Sequence, residues 1–135
     1  MMVYDVEKKC CIAHAPFTAL RLWDRLRGMI GRRFEDGKLD AMIFPRCNAV
    51  HAMWMRIPLD LIFLDKNNKV VGLKNNFRPW GLPVCFRKAQ TTIELPAGRV
   101  TALNIEIGDH IDLNVNLSQN SFEKSAKADI VNANT

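Results

Sequence analysis

The spacing of apolar and polar residues predicts a chain built mainly from short strands. From residue 41 onward, apolar side chains recur with the period of two that is typical of extended backbone. A stretch at 3–13 also has strand-like content, and further strands are predicted at 41–44, 49–55, 59–64, 69–74, 91–95 and 110–116. The segment 59–64 is apolar on both faces, which indicates a central strand of a sheet.

Two short helices are predicted beside these strands. Thr18 is a candidate N-cap for a helix over 19–30, and Pro96 is suited to the first position of a helix over 97–103. Residues 75–90 are rich in Asn, Pro and Gly, so they predict a long loop. The sum is a mainly β fold, an antiparallel β-sandwich or a partly closed barrel with one or two short helices.

The length of 135 residues predicts one domain, which we expect to cover 1–117. Residues 118–135 consist mostly of Ser, Asn, Ala and Lys, and they predict a mobile tail.

The N-terminus has neither a basic region nor an apolar core, so we expect no signal peptide. No apolar run approaches a membrane span, which makes the cytoplasm the expected location. The four cysteines of the chain are then expected to be reduced.

Composition and charge limit the class of protein. Apolar residues make up 48% and charged residues 24%, which excludes a disordered chain and a disulfide-dense miniprotein. The net charge of +5 is concentrated, because residues 21–33 carry +4 and residues 66–93 carry +6. These basic segments either form solvated surfaces without a partner or attract nucleic acid or a small anionic ligand. Few aromatic residues stand between the basic ones, which makes nucleic acid unlikely as a partner.

Several common catalytic motifs are absent from the sequence. It contains no phosphate-binding P-loop, no Gly-x-Gly-x-x-Gly fingerprint and no Gly-x-Ser-x-Gly elbow. It also has no Cys-x-x-Cys pair of the kind found in zinc ribbons and thioredoxins. The sequence therefore predicts neither a cofactor nor a metal, and it argues against nucleotide hydrolysis.

The run from Cys47 to His51 is the strongest candidate for chemistry. A thiol beside an imidazole suits a nucleophile with its base, and a third ligand such as Cys85 or His110 would make a soft-metal site. The simpler alternative is a small buried thiol and a hydrogen-bonded histidine. Four residues of extended chain span roughly 13 Å, so direct contact of the pair requires a turn at residues 48–49.

Residues 51–65 resemble the signature of a known family. They read His-Ala-Met-Trp-Met-Arg-Ile-Pro-Leu-Asp-Leu-Ile-Phe-Leu-Asp, which is similar to the DUF192 family of small prokaryotic domains, also called UPF0127. Further similar motifs follow the family's order at 27–30, 42–44, 76–80, 93–98 and 107–111. The resemblance covers about residues 10–115 and implies a jelly-roll β-sandwich, while the family's biochemical function is unestablished. Gly81 stands where a similar branch often carries Arg, which removes one possible anion contact.

We interpret the region around this signature as the candidate site. Its predicted lining is Cys47, His51, Met55, Arg56, Asp60, Arg78 and Trp80. The leading hypothesis is a non-enzymatic domain that binds a small molecule or a protein. One alternative is an enzyme in which Cys47 and His51 react and Asp60 orients the imidazole. Another is weak nucleic-acid binding through the two basic segments. For Asp60 itself, an ion pair with Arg56 or a turn cap is the simpler role.

Overall fold

The computed structural model describes residues 2–21, 29, 33–35, 38–53 and 55–115, and this part of the chain is mainly β. The strands are β1 (Met2–Asp5), β2 (Cys10–Ala13), β3 (Pro16–Thr18), β4 (Ala41–Pro45), β5 (Ala49–Val50), β6 (Leu59–Leu64), β7 (Val70–Phe77), β8 (Val84–Cys85), β9 (Thr91–Pro96) and β10 (Ile111–Val115). One short helix, α1 (Arg99–Ala102), is present among these residues. Most of the predicted helix at 19–30, much of the basic segment 21–33, Trp54 and the predicted tail lie outside the described residues.

Three groups of paired strands form the fold. The largest is a five-stranded sheet with the order β3-β4-β9-β6-β7, in which β3 and β4 are parallel and the other pairs are antiparallel. A three-stranded sheet has the order β10-β1-β2, and β5 pairs with β8 as a separate ribbon. The five-stranded sheet begins at β3 and ends at β7, so in the described part of the chain it does not close into a barrel.

The two central strands β6 and β9 separate two hydrophobic cores. Ile62 and Ile93 are paired and face the first core, whereas Leu61 faces the second core beside Glu94. Every residue of β6 is buried, as predicted for a central strand. The first core contains Val3, Ile12, Ala13, Ala41, Ile43, Ile62, Leu64, Val70, Ile93, Leu95, Val100, Ile105 and Ile111. The second core contains Ala19, Met29, Met42, Phe44, Ala52, Met55, Leu59, Leu61, Phe63, Phe77 and Ala89.

The β5–β8 ribbon is held near the second core through an aromatic contact. Phe86 follows β8, and its ring centroid lies 4.7 Å from that of Phe63 in the central strand β6. Gly72 of β7 makes this approach possible, because a Cβ atom at Gly72 would lie 2.5 Å from the Phe86 ring. The backbone N–H of Phe86 also donates to the carbonyl oxygen of Asn48, at 3.0 Å. The ribbon therefore has a fixed position beside the candidate site.

Several element boundaries differ from the sequence predictions for reasons of tertiary pairing. Thr18 ends the edge strand β3 instead of capping a helix, because β3 pairs with β4. The predicted strand 49–55 is regular only over Ala49–Val50, the part that β8 pairs with. Within the predicted loop 75–90, β7 continues to Phe77 and β8 forms a further short strand.

The start of α1 also differs from its prediction. Pro96 ends the strand β9, and the N-cap of α1 is Gly98. The φ angle of Gly98 is 92°, a left-handed conformation that glycine adopts without a steric penalty. The chain therefore turns out of the sheet at this glycine before the helix begins.

The buried carboxylate of Asp60 connects three elements of the fold. It lies in β6 and is fully buried, and its Oδ1 accepts a hydrogen bond from the backbone N–H of Asn76 at 2.9 Å. Its Oδ2 accepts from the backbone N–H of Val100, also at 2.9 Å, in the first turn of α1. Asn76 has a φ of 51°, so the carboxylate stabilises a left-handed backbone position as well as a helix start.

Asp60→Asn is expected to destabilise the protein. The substitution replaces one accepting oxygen by an NH₂ group, which is a donor and cannot bond to the buried backbone N–H that it would face. We expect a loss of about 2 kcal/mol in the free energy of unfolding, measured by urea denaturation. Asp65→Asn is the matched control. Asp65 also accepts two backbone N–H groups, but both meet the same oxygen in an exposed turn. Equal losses in the two variants would contradict the role given to Asp60.

Candidate functional site

The structure does not assemble Cys47 and His51 into a reactive pair. The thiol of Cys47 donates to the carbonyl oxygen of Ala49 at 3.2 Å, two residues further along the chain. The backbone of Cys47 is held as well, since its carbonyl oxygen accepts from the Thr92 hydroxyl at 2.8 Å. His51 is exposed, and among the described residues no hydrogen bond joins its imidazole to the thiol.

Asp60 does not lie on the same side of the sheet as Cys47 and Met55. Leu59 and Leu61 on either side of it belong to the second core, so the alternation of β6 directs Asp60 to the opposite face. Both carboxylate oxygens accept backbone N–H groups there. In this arrangement the Asp60 carboxylate caps the backbone N–H groups of Asn76 and Val100. It does not orient the His51 imidazole.

The soft-metal set considered from the sequence is also dispersed. Cys85 lies in β8 opposite Ala49, and His110 lies opposite Lys69 at the start of β7. Within the described ranges, neither residue forms a converging group of three metal-binding side chains with Cys47 or His51. The structure therefore gives no support for a metal at the candidate site.

A thiol–imidazole contact occurs elsewhere, at the end of β2. The Cys11 Sγ lies 3.6 Å from the Nδ1 of His14 and 3.4 Å from the carbonyl oxygen of Ala13. Burial raises the pKa of the Cys11 thiol, and the nearby carboxylate of Asp40 raises it further. Because a reactive cysteine requires a lowered pKa, this pair has the character of a structural contact and not of an activated nucleophile.

An apolar surface lies where the loop after β7 meets the segment after β5. Three large apolar side chains are exposed there: Trp80 by 60%, Leu82 by 87% and Met53 by 52%. The backbone N–H of Trp80 donates to the carbonyl oxygen of Ala52 at 2.8 Å, which joins the two segments. We call Met53, Trp80 and Leu82 the tryptophan surface.

The backbone at Trp80 is held in an unusual conformation. Its φ angle is 62°, which places a bulky residue in the left-handed region. The turn is closed by Gly81, whose N–H donates to the carbonyl oxygen of Arg78 at 3.0 Å. A Cβ atom at Gly81 would lie only 3.0 Å from that same oxygen, so the turn favours glycine at this position. Strained backbone of this kind is concentrated at functional sites.

Basic side chains accompany the tryptophan surface. Arg78 belongs to the same turn as Trp80 and is exposed, and Arg56 is exposed next to the buried Met55. Met55 belongs to the second core, so this core lies beneath the segment that carries Met53. The site residues thus separate into an exposed apolar and basic group and a buried supporting group.

Glu94 is a candidate functional residue that the sequence reasoning missed. It lies in β9 between Met42 and Leu61 of the second core, is 5% exposed, and its Oε2 has no hydrogen-bond partner among the described residues. Burial raises its pKa to about 8, so the carboxyl group is mainly neutral at pH 7. The alternation of residues 91–95 makes Thr92 and Glu94 look solvent-facing, and only the central position of β9 reveals that both faces are covered.

Glu94→Gln is expected to flatten the pH dependence of stability. The folded-state pKa of about 8 lies above the ordinary value of 4.5. The unfolded chain therefore releases the proton first, and stability falls as the pH rises from 4.5 to 8. The slope from this group reaches about 1.4 kcal/mol per pH unit, and we expect the variant to lack it in urea melts across that range.

Glu35→Gln, in an exposed turn, is the control and should keep the wild-type slope. If Glu94→Gln instead destabilises the protein equally at pH 5 and pH 8, Glu94 is an ionised, paired group.

The fold and the surface together define a small, mainly β domain with an exposed aromatic loop over a buried core. Residues 17–113 match the model of the DUF192 family, described as "Uncharacterized ACR". Because the match covers most of the chain, the protein belongs to this family, as the resemblance of its motifs indicated. In the described part of the chain, no helix is long and apolar enough to cross a membrane.

Known relatives agree with this assignment. The chain is 41% identical over 70 residues to a UPF0127 protein of Pyrococcus furiosus, covering 51% of this chain and 60% of that protein. It is 39% identical over 84 residues to one of Thermococcus sibiricus, covering 62% and 54% respectively. The chain thus spans just over half the length of these relatives. A crystal structure of a protein of unknown function from Novosphingobium aromaticivorans has the same fold, with a TM-score of 0.67, 20% identity and coverage of 83% and 84%.

Proposed function

We propose that the chain is a non-enzymatic binding domain that recognises a segment of a partner protein with apolar and acidic side chains. The observation that supports this most is the exposed, backbone-strained Trp80 beside Leu82. Single exposed apolar residues are common, but a joined set of large ones is typical of interaction surfaces. Tryptophan and arginine are also enriched among residues that contribute most to binding energy.

Charge favours an acidic partner segment. Arg78 belongs to the turn that carries Trp80, Arg56 follows the segment that carries Met53, and both arginines are exposed. An acidic segment would be attracted to this region, and apolar side chains on it would cover Trp80 and Leu82. A small anionic ligand would meet the same charges but would leave most of the apolar surface exposed.

The position of Asp60 supports a protein partner over the small-molecule pocket that the sequence predicted. The expected pocket required Asp60 as a wall, and Asp60 lies on the opposite face of the sheet. A groove of about 430 Å³ lies elsewhere among the described residues, on the first-core side between β7 and α1. It is lined by Leu73, Lys74, Asn75, Val100, Thr101, Asn104 and Ile105.

We propose that the binding domain covers residues 1–117 and folds as the jelly-roll sandwich that the family resemblance implies. The pairing of β10 with β1 supports this extent, because it brings the two ends of the domain together. We place the domain in the cytoplasm, where reducing conditions suit its four cysteines. The described structure has all four thiols free, which agrees with that location.

Peptides selected from a random display library on the wild-type domain should be enriched in acidic and large apolar residues. Trp80→Ala and Leu82→Ser should each weaken their binding at least about tenfold, measured by fluorescence anisotropy, with little change in the melting temperature. Ile107→Ser is the matched control, because Ile107 is 67% exposed and lies in the turn before β10.

Two results would contradict this function. One is a selection without enrichment, or with peptides that bind Trp80→Ala as tightly as the wild type. The other is competition in which a short single-stranded oligonucleotide displaces the peptides and binds more tightly, which would favour nucleic acid as the partner.

A further inference from the structure

Three carboxylates converge at one end of the three-stranded sheet, away from the tryptophan surface. Asp5 ends β1, Glu7 lies in the turn that follows, and Asp109 precedes β10. The two turns are tied together, since the backbone N–H of Val6 donates to the carbonyl oxygen of His110 at 2.9 Å. One oxygen from each of the three carboxylates lies within 4.8 Å of the others.

The backbone fixes each of these carboxylates through one oxygen. Oδ1 of Asp5 accepts from the N–H of Lys8 at 3.0 Å, and Oδ2 of Asp109 accepts from the N–H of Glu106 at 3.0 Å. Oε2 of Glu7 accepts from the N–H of His110 at 2.5 Å. Each side chain therefore has a defined position, and one oxygen of each accepts a backbone N–H.

A buried oxygen without a donor points to a positively charged ligand. Asp5 is fully buried, and no hydrogen-bond donor of the described residues reaches its Oδ2. Leaving such an oxygen unpaired is costly, and a proton or a cation removes the cost.

Lys8 contributes one positive charge beside this cluster. Its Nζ lies 3.3 Å from Oε1 of Glu106 and 3.8 Å from Oδ1 of Asp109. Neither of these ion pairs reaches Oδ2 of Asp5. The same ammonium group also attracts the carboxyl group of Asp5, so Lys8 shares one positive charge among Glu106, Asp109 and Asp5.

We propose that Asp5, Glu7 and Asp109 bind a divalent cation of the size of Ca²⁺. Calcium–oxygen bonds of about 2.3–2.6 Å allow two ligands of one ion to stand up to roughly 5 Å apart, and the three carboxylate oxygens lie within 4.8 Å of one another. Lys8 keeps its pair with Glu106, and water completes the coordination.

Such an ion would link the two sheets of the fold. Asp109 also joins the five-stranded sheet, because its carbonyl oxygen accepts from the backbone N–H of Val70 at 2.9 Å. The ion would thus connect the β1–β2 turn to the start of β7 through Asp109. Its effect is on the stability of this end of the molecule and is separate from binding at the tryptophan surface.

The test is thermal unfolding of the chelator-treated full chain, titrated with CaCl₂ at constant ionic strength and at a pH above 7. Millimolar Ca²⁺ should raise the melting temperature of the wild type by several degrees. Asp5→Asn should abolish the shift, and Glu7→Gln, at an exposed position, should weaken the affinity at least about tenfold. Lys8→Gln should tighten binding, and Glu35→Gln should behave as the wild type.

Two results would overturn the cation site. One is a wild-type melting temperature that does not respond to Ca²⁺ while Asp5→Asn raises it, which is the behaviour of a carboxyl pair that shares a proton. The other is an equal Ca²⁺ shift in the wild type, Glu7→Gln and Glu35→Gln, which is the behaviour of ions bound diffusely to acidic groups. Because Glu7 is exposed, its variant keeps the test decisive if Asp5→Asn fails to fold.

Discussion

Burial of β6 and β9 on both faces is the constraint on which the other features depend. Each apolar side chain on these strands contributes to one of two cores, at about 25 cal/mol for each Å² of apolar surface removed from water. A polar side chain on either strand must therefore find its partners inside the protein. Asp60 finds them in two backbone N–H groups, and its hydrogen bonds hold α1 and the end of β7 in place. Glu94 has an oxygen without a partner among the described residues, and its pKa rises in consequence.

The two faces of the sheet carry different tasks in this arrangement. The first core joins the five-stranded sheet to the three-stranded sheet and α1, which makes it the scaffold. The second core supports the segment from Cys47 to Met55 and the β5–β8 ribbon, and the Trp80 loop is bonded to that segment at Ala52. The proposed binding surface can thus vary through exposed side chains such as Trp80 and Leu82, while the stability of the domain is provided mainly by the buried strands below.

Much of the fold follows from the sequence, and much of the candidate site does not. The apolar run at 59–64 predicts β6 because burial on both faces leaves a signal that needs no knowledge of neighbours. The strand predicted at 49–55 was wrong beyond Val50, since only β8 pairs with it and β8 is two residues long. Glu94 was missed because the alternation in β9 is the same for a solvated face and for a second core. The Cys47 and His51 spacing gave no information about the local turn that directs the thiol to Ala49.

The most direct test of the two-sided burial is the pKa of Glu94, measured from the carboxyl carbon resonance by NMR and assigned with Glu94→Gln. A carboxyl enclosed in the second core without an ionic partner should titrate near pH 8, far above the ordinary 4.5. A midpoint at or below 4.5 would contradict this. It would show that Glu94 is ionised at neutral pH and meets water or a cation, so that β9 is not enclosed by two apolar cores.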